Sequence, residues 1–391
     1  MSRLAELIEE LCPDGVEYRR LDELFATRNG YTPSRSDMSA WDSLDVPWFR
    51  MEDIRENGGI LDRALTYVSS SAVKNGVLFP ENSLLVATSA TIGAHALITV
   101  PHLSNQRFTS LQLKDQYREY FDCRFLYYYC FILDAFCLDH VNVSSFPSVD
   151  MKAFRSFKFP FVPLAVQREI VRILDQFTTL EAELEAELEA RRAQYEHYRN
   201  HLLSYDSLAS RGPVKMVELG SVSRISAGYG FSKSEQGCVV GEYPFYKVSD
   251  MNRPGNQVFL ESAANYLSKA DAHRLSMSPF PAGAIVFPKI GAAIRTNKKR
   301  ILSVASLVDN NVAVCLPDGI NGKFLYYWFL EQDLVSVAHD SGAVPSIRKS
   351  DLERLLVPLP TVEEQARIVA LLDRFDALVN DISSGLPALP S

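Results

Sequence analysis

The sequence has no CxxC pair among its six cysteines, no apolar run of membrane-spanning length, no GxxxxGK[ST] phosphate loop and no excess of positive charge. Cys12, Cys123, Cys130, Cys137, Cys238 and Cys315, spread over 391 residues, suggest neither a disulfide framework nor a thiolate metal site. Cys123, Cys130 and Cys137 recur every seven residues in an aromatic segment and read as core thiols on one face of a buried helix. No stretch approaches the roughly eighteen apolar residues of a spanning helix. The opening MSRLAELIEELCPDGVEY has acids where a signal peptide needs a basic start, so a cytoplasmic location is expected. Without a phosphate loop the chain encodes no nucleotide-driven motor, and Gly228-Tyr229-Gly230-Phe231 lacks the third glycine of a nucleotide site, so it reads as a turn. His197 and His201 stand four apart but have no glutamate between them and no third ligand. They read as solvated helix histidines, and neither a metal nor a cofactor is expected.

The shortage of cations is the main objection to nucleic-acid binding. Forty Lys and Arg face 48 Asp and Glu, a formal net charge of -8. Part of the deficit is local: Glu181, Glu183, Glu185, Glu187 and Glu189 crowd one helical stretch. Residues 214–360 carry 16 Lys and Arg against 13 Asp and Glu, whereas the first half lacks even that excess. With hydrophobic residues at 47% and charged residues at 23%, the chain has the make-up of a packed globular protein.

What is present is a duplication. QREIVRILDQF at 167–177 returns as QARIVALLDRF at 365–375, with six of eleven positions identical at a shift of 198. The same shift pairs Leu21 with Leu219, Gly30-Tyr31 with Gly228-Tyr229, Gly93 with Gly291 and Pro147-Ser148 with Pro345-Ser346. Pro47-Trp48-Phe49-Arg50 matches Pro244-Phe245-Tyr246-Lys247, and RFLYYY from Arg124 matches KFLYYW from Lys323. Each copy opens with alternating strands and glycine turns, continues through an aromatic helix and ends on a proline-bounded strand, FKFPFVP or LLVPLP. Two copies of one α/β domain follow.

After each copy the period changes to that of a helix. Ile170, Ile173, Phe177, Leu180, Leu184, Leu188, Arg191, Tyr195, Tyr198 and Leu202 step by threes and fours, a heptad seam with a stutter at Leu180, Leu184 and Leu188. The second copy repeats the seam's first part in Ile368, Leu371, Phe375, Leu378 and Ile382, and Gly385 and Pro387 stop it. The expected organisation is a first domain at 1–163, a central spacer helix at 164–204, a second domain at 213–360 and a short C-terminal spacer helix at 361–384. The two seams are expected to pack antiparallel as a coiled coil, leaving 188–202, with Tyr195, Tyr198 and Leu202, without a partner inside the chain.

Candidate DNA contacts fall where the copies repeat cations beside aromatics: Tyr31 with Arg50, and Tyr229 with Lys247. Such pairs hold phosphates while neighbouring loops read base edges. Equally, they are core aromatics beside solvated cations. Arg107 adds a cation in the first copy. RTNKKR, comprising Arg295, Asn297, Lys298, Lys299 and Arg300, follows an expected strand at Ile294 and reads as a hairpin loop entering a groove. Arg348 and Lys349 are further candidates for phosphate contact.

With the repeat and the helices in place, the chain resembles the specificity subunits of type I restriction-modification systems. The likeness rests on PLAVQREIVRILDQF at 163–177, LEAELEAELEARRAQYEHYRNHLL at 180–203, LCPDGVEYRRLDEL at 11–24 and PLPTVEEQARIVALLDRFDALV at 358–379. The resemblance implies two tandem target recognition domains separated by long antiparallel spacer helices. It implies a non-catalytic chain in which each domain reads one half of a split double-stranded DNA target. Modification (methyltransferase) subunits that use S-adenosylmethionine would dock on the helices, with an ATP-dependent restriction subunit joining through the complex. No cofactor and no membrane are expected for this chain itself. In the family the second spacer helix continues through a stretch like 191–203, which the sequence lacks after its second copy. This leaves two expectations: incomplete docking of a second modification subunit, or a missing half supplied by a second copy of the chain. Two rivals stay in view. One is a recognition module fused to another DNA-modifying activity, for which no catalytic residues remain. The other is a coiled-coil scaffold without DNA affinity, which the acidic charge favours.

Overall fold

The computed structural model describes residues 2–142, 146–339 and 344–384, and of 378–384 the backbone alone. Two compact units emerge, Met1–Glu183 and Leu184–Ser391. In the first, a five-stranded sheet has the order Phe25–Asn29, Phe108–Leu113, Ser83–Ala87, His95–Ile98, Ile60–Leu61. The last pair is parallel and the others antiparallel. A three-stranded sheet places Val46–Phe49 between Tyr67–Val68 and Leu103–Ser104. The opening strand Glu17–Arg20 pairs with the proline-bounded Lys158–Phe161.

The second unit has the same order, Ser223–Ala227, Val312–Pro317, Ile285–Pro288, Arg300–Leu302, Phe259–Leu260, again with only the last pair parallel. Tyr243–Tyr246 lies between Asn265–Leu267 and Leu307–Val308, and Val214–Glu218 pairs with Leu356–Pro360. The duplication therefore reaches strand order and pairing sense. One local pair, Val141–Asn142 with Ser148–Val149, is represented among the described residues of the second unit by a single antiparallel bridge between His339 and Ser346. The continuous apolar runs explain the central positions: every residue of Ser83–Ala87 and of Ile285–Pro288 is buried.

Each sheet is backed by the aromatic helix, Cys123–Asp139 or Gly322–Glu331. Asp122 and Asn321 cap these helices alike, each side chain accepting from the next two backbone amides but one. The seven-residue spacing places Cys130 and Cys137 fully inside, with Cys123 half-buried. Burial pushes the Cys137 thiol up to about 12, leaving it an inert core group.

A helix of 40 residues, Leu164–Leu203, and a closing helix, Val362–Ser384, stand where the heptad pattern placed them. The seam corrects the expectation of an uncovered 188–202. In the second unit Leu202 and Tyr195 pack against the core that contains Ile368, Leu372, Phe324 and Tyr327. The Tyr198 ring lies over Phe375 at 6.2 Å and 11°, and Tyr195 meets the same ring at 6.4 Å. Further on, Arg211 pairs with Glu364 at 2.7 Å, so this part of the chain and the closing helix run in opposite directions. In the first unit Ile170 packs on the domain core, while Phe177 is 61% and Leu180 52% exposed. Leu184, at the start of the second unit, is 47% exposed. Tyr195 and Leu202 are covered because the aromatic helix offers them an apolar wall, a tertiary contact invisible to the seam's own periodicity, while Tyr198 stays 44% exposed beside Phe375. Ile173 and Leu371 are half-buried, and Leu378 and Ile382 lie outside the residues whose side chains are described. No helix among the described residues is long and apolar enough to cross a membrane.

Candidate nucleic-acid interface

Each unit carries a cation on the same mount. The backbone N–H of Arg50 donates to Asp53 at 2.6 Å, and the other oxygen of that buried carboxylate accepts from the Leu65 N–H at 2.6 Å. In the second unit Lys247 N–H donates to Asp250 at 2.8 Å and Ala264 N–H to the same carboxylate at 2.9 Å. These buried aspartates escaped the sequence reading. Their signal was a shared spacing of three from each repeated cation. Both cations lie beside aromatics: the Arg50 guanidinium is 5.6 Å from the Trp48 ring and donates to Thr66 Oγ1 at 2.9 Å, and Lys247 Nζ is 5.6 Å from the Phe231 ring and bonds Gln236.

In the first unit Arg50 opens onto a cleft of about 660 Å³ whose lining includes Arg35, Trp41, Trp48, Gln106 and Arg107. Three arginines and two indoles around one depression suit a phosphate backbone with bases beside it. Arg107 is exposed at its rim. Arg35, equally exposed, was not singled out in the sequence although the repeat marks it: SRSD at 34–37 returns as SKSE at 232–235, which pairs Arg35 with Lys233.

The repeated tyrosines are struts. Tyr31 OH donates to the Ala72 carbonyl at 2.9 Å and accepts from the Lys74 N–H at 3.0 Å. Tyr229 OH donates to the Ser278 carbonyl at 3.0 Å and accepts from the Ser278 N–H at 3.1 Å. Their hydroxyls are spent on loop backbone in both copies.

The 295–300 cluster divides. No strand contains Ile294, which is buried within a short 3-10 turn, Ala292–Thr296. Arg295 is exposed, and Lys298 is half-exposed with its ammonium on Asn252. Lys299, 1% exposed, donates to the Gln332 carbonyl at 2.6 Å and to Asn297 Oδ1 at 2.7 Å, and burial pushes its ammonium down to about 8. The same Asn297 oxygen accepts the Leu334 N–H at 2.9 Å. Arg300 donates to the carbonyls of Lys299 and Met251. A phosphate role for Lys299 is therefore withdrawn, and Asn297 and Arg300 hold the turn: neighbouring apolar contacts drew half of this run inward. Arg348 is exposed ahead of the helix Lys349–Glu353, in which Lys349 pairs with Glu353 at 3.4 Å.

A second duplicated construction roots the helices. Buried Gln167 donates to the carbonyls of Tyr120 and Val162 and accepts the Asp122 N–H, while Gln365 donates to the Pro360 carbonyl and accepts the Asn321 N–H. Asp175 accepts from Tyr128 OH at 2.5 Å and Arg124 at 2.8 Å, as Asp373 does from Tyr327 OH at 2.6 Å and Lys323 at 2.7 Å. The most similar stretches of the repeat, QREIVRILDQF and RFLYYY, thus fasten each helix to its own domain.

A tandem pair of α/β domains, each bearing a mounted cation and rooted to a long helix, defines a double recognition protein. The family model for the type I restriction modification DNA specificity domain matches twice, at residues 13–190 and 212–389, so the chain belongs to this family and is a type I restriction-modification specificity subunit, a recognition component and not a catalytic one. It is 40% identical over 394 residues to the EcoprrI specificity subunit of Escherichia coli, covering 98% of this chain and 93% of that one. Against the EcoR124I/EcoR124II specificity subunit of Escherichia coli it is 32% identical over 234 residues, 58% of this chain and 56% of the relative. A structure described under complex assembly and conformational transition of the type I restriction-modification system shares the fold with TM-score 0.62 at 17% identity, covering 95% of this chain and 92% of that one.

Proposed function

We propose that the chain reads a bipartite double-stranded DNA target, one half per recognition unit, and that the long helix sets the gap between the halves. The observation that carries this reading is the duplication itself: one strand order and one cation mount, Arg50 or Lys247, occur on either side of a 40-residue helix. Arg35 and Arg50 hold backbone in the first half, with Arg107 exposed beside them, and Lys247, Arg295, Lys298, Arg348 and Lys349 serve the second. Modification subunits dock along the helices, where exposed Phe177, Leu180 and Leu184 offer apolar surface, and the ATP-dependent restriction subunit joins through that complex. Inserting four residues near Ala186 adds about 6 Å of helix. Methylome sequencing of cells carrying this variant with its modification subunit is expected to return both half-targets unchanged and a longer gap. An unaltered gap would rule out the ruler.

A further inference from the structure

The two units hold one three-residue loop in the same backbone frame but furnish it with opposite chemistry. Asn105 N–H donates to the Phe49 carbonyl at 3.1 Å, and Asp309 N–H to the equivalent Tyr246 carbonyl at 2.9 Å. The loops close alike, with Thr88 N–H on the Arg107 carbonyl at 3.0 Å and Lys289 N–H on the Asn311 carbonyl at 2.9 Å. The repeated glycines exist for this approach: a Cβ on Gly30 would stand 2.0 Å from the Asn105 carbonyl oxygen, and one on Gly228 2.3 Å from that of Asp309. A loop so fixed can present side chains without reorganising when DNA arrives.

In the first unit the acceptors turn inward. Asn105 Oδ1 takes the Arg107 N–H at 3.1 Å and Gln106 Oε1 takes the Thr32 hydroxyl, which leaves amide N–H groups and the exposed Arg107 guanidinium facing outward as donors. In the second unit Asp309 Oδ1 accepts both the N–H and the side-chain amide of Asn311, at 2.8 and 2.6 Å. That occupies the backbone donor and one side-chain donor of Asn311 and leaves the second Asp309 oxygen and Asn311 Oδ1 as acceptors. A purely structural loop held by identical backbone bonds gives no reason for this inversion, whereas reading two different half-targets requires one.

We propose that 105–107 and 309–311 are base-reading loops of opposite sense: Arg107, flanked by Gln106, reads the N7/O6 edge of a guanine, and Asp309 accepts from the exocyclic amine of a cytosine. Both pairings match major-groove edge chemistry. The proposal rests on the bipartite reading above.

The test uses the full chain assembled with its modification subunits, on duplexes carrying the target found by methylome sequencing. Arg107→Ala is expected to lose about tenfold to a hundredfold of discrimination at one guanine of one half-target only. Replacing that guanine by 7-deazaguanine should weaken the unaltered complex and leave the variant indifferent. Asp309→Asn should relax one position in the other half. Equal weakening of Arg107→Ala on every duplex, with a shallower salt dependence, would make Arg107 a phosphate contact and overturn the base-reading claim while the bipartite target stands. A target that proves continuous would sink the underlying reading instead.

Discussion

In the second unit Phe375 lies under Tyr198 and beside Tyr195, whereas its counterpart Phe177 in the first unit is 61% exposed, although both helices are rooted by the same glutamine and aspartate. The polar fastening is thus common to both copies and the apolar cover is not. Fastening fixes where each helix leaves its domain. Cover decides how much of the helix is left for another molecule, so the contrast assigns a structural task to Tyr195 and Leu202 and an open face to Phe177 and Leu180.

Removing the fastening should have the largest effect and should hit both units. Gln167→Leu strands three backbone partners and is expected to cost about 3 kcal/mol, and Gln365→Leu, with two, about 2 kcal/mol. Urea unfolding with amide exchange at each helix start will measure both. Removing the cover should separate the units. Phe375→Ala is expected to cost about 2 kcal/mol and Phe177→Ala less than about 0.5 kcal/mol in the isolated chain. Equal losses would erase the contrast.

The units should also respond to pH with opposite sign. His102, buried between Phe49 and Phe79, has its imidazolium pushed down to about 4. Between there and the ordinary value of 6.5 the unfolded chain keeps a proton that the folded chain refuses, so the first unit gains stability as pH rises through this window. Burial raises Glu331 to about 7, so the folded second unit keeps a proton that the unfolded chain gives up above 4.5. That contribution is lost as pH climbs from 4.5 to 7. Amide exchange across these windows should show the two slopes, and His102→Phe and Glu331→Gln should flatten them separately.

The smallest effect distinguishes neighbours in one run. Lys298→Ala should reduce the salt slope of DNA binding by about one unit and leave stability within about 0.5 kcal/mol. Lys299→Ala should lower stability, because its ammonium holds Gln332 and Asn297, and leave the slope alone.

The duplication, the long helix, the core cysteines and the repeated cations were all legible because each leaves a period or a shift in the chain. What stayed hidden depends on depth. Nothing local in RTNKKR tells Lys298 from Lys299, since the distinction comes from Gln332 some 33 residues further on. Tyr195 and Leu202 read as part of an uncovered seam because the wall that covers them belongs to the aromatic helix and its neighbours, far away in the sequence. Gln167 and Gln365 stood in plain view as identities but carried no periodic signature, and only the fold shows what they hold.

Exchange of residues 213–360 for those of a family member with a known target tests most directly whether the two copies read independently. Methylome sequencing of the chimera with its modification subunits should show one half-target replaced by the donor's and the other retained base for base. A change in both halves, or in neither, would contradict two separate readings from one duplicated fold.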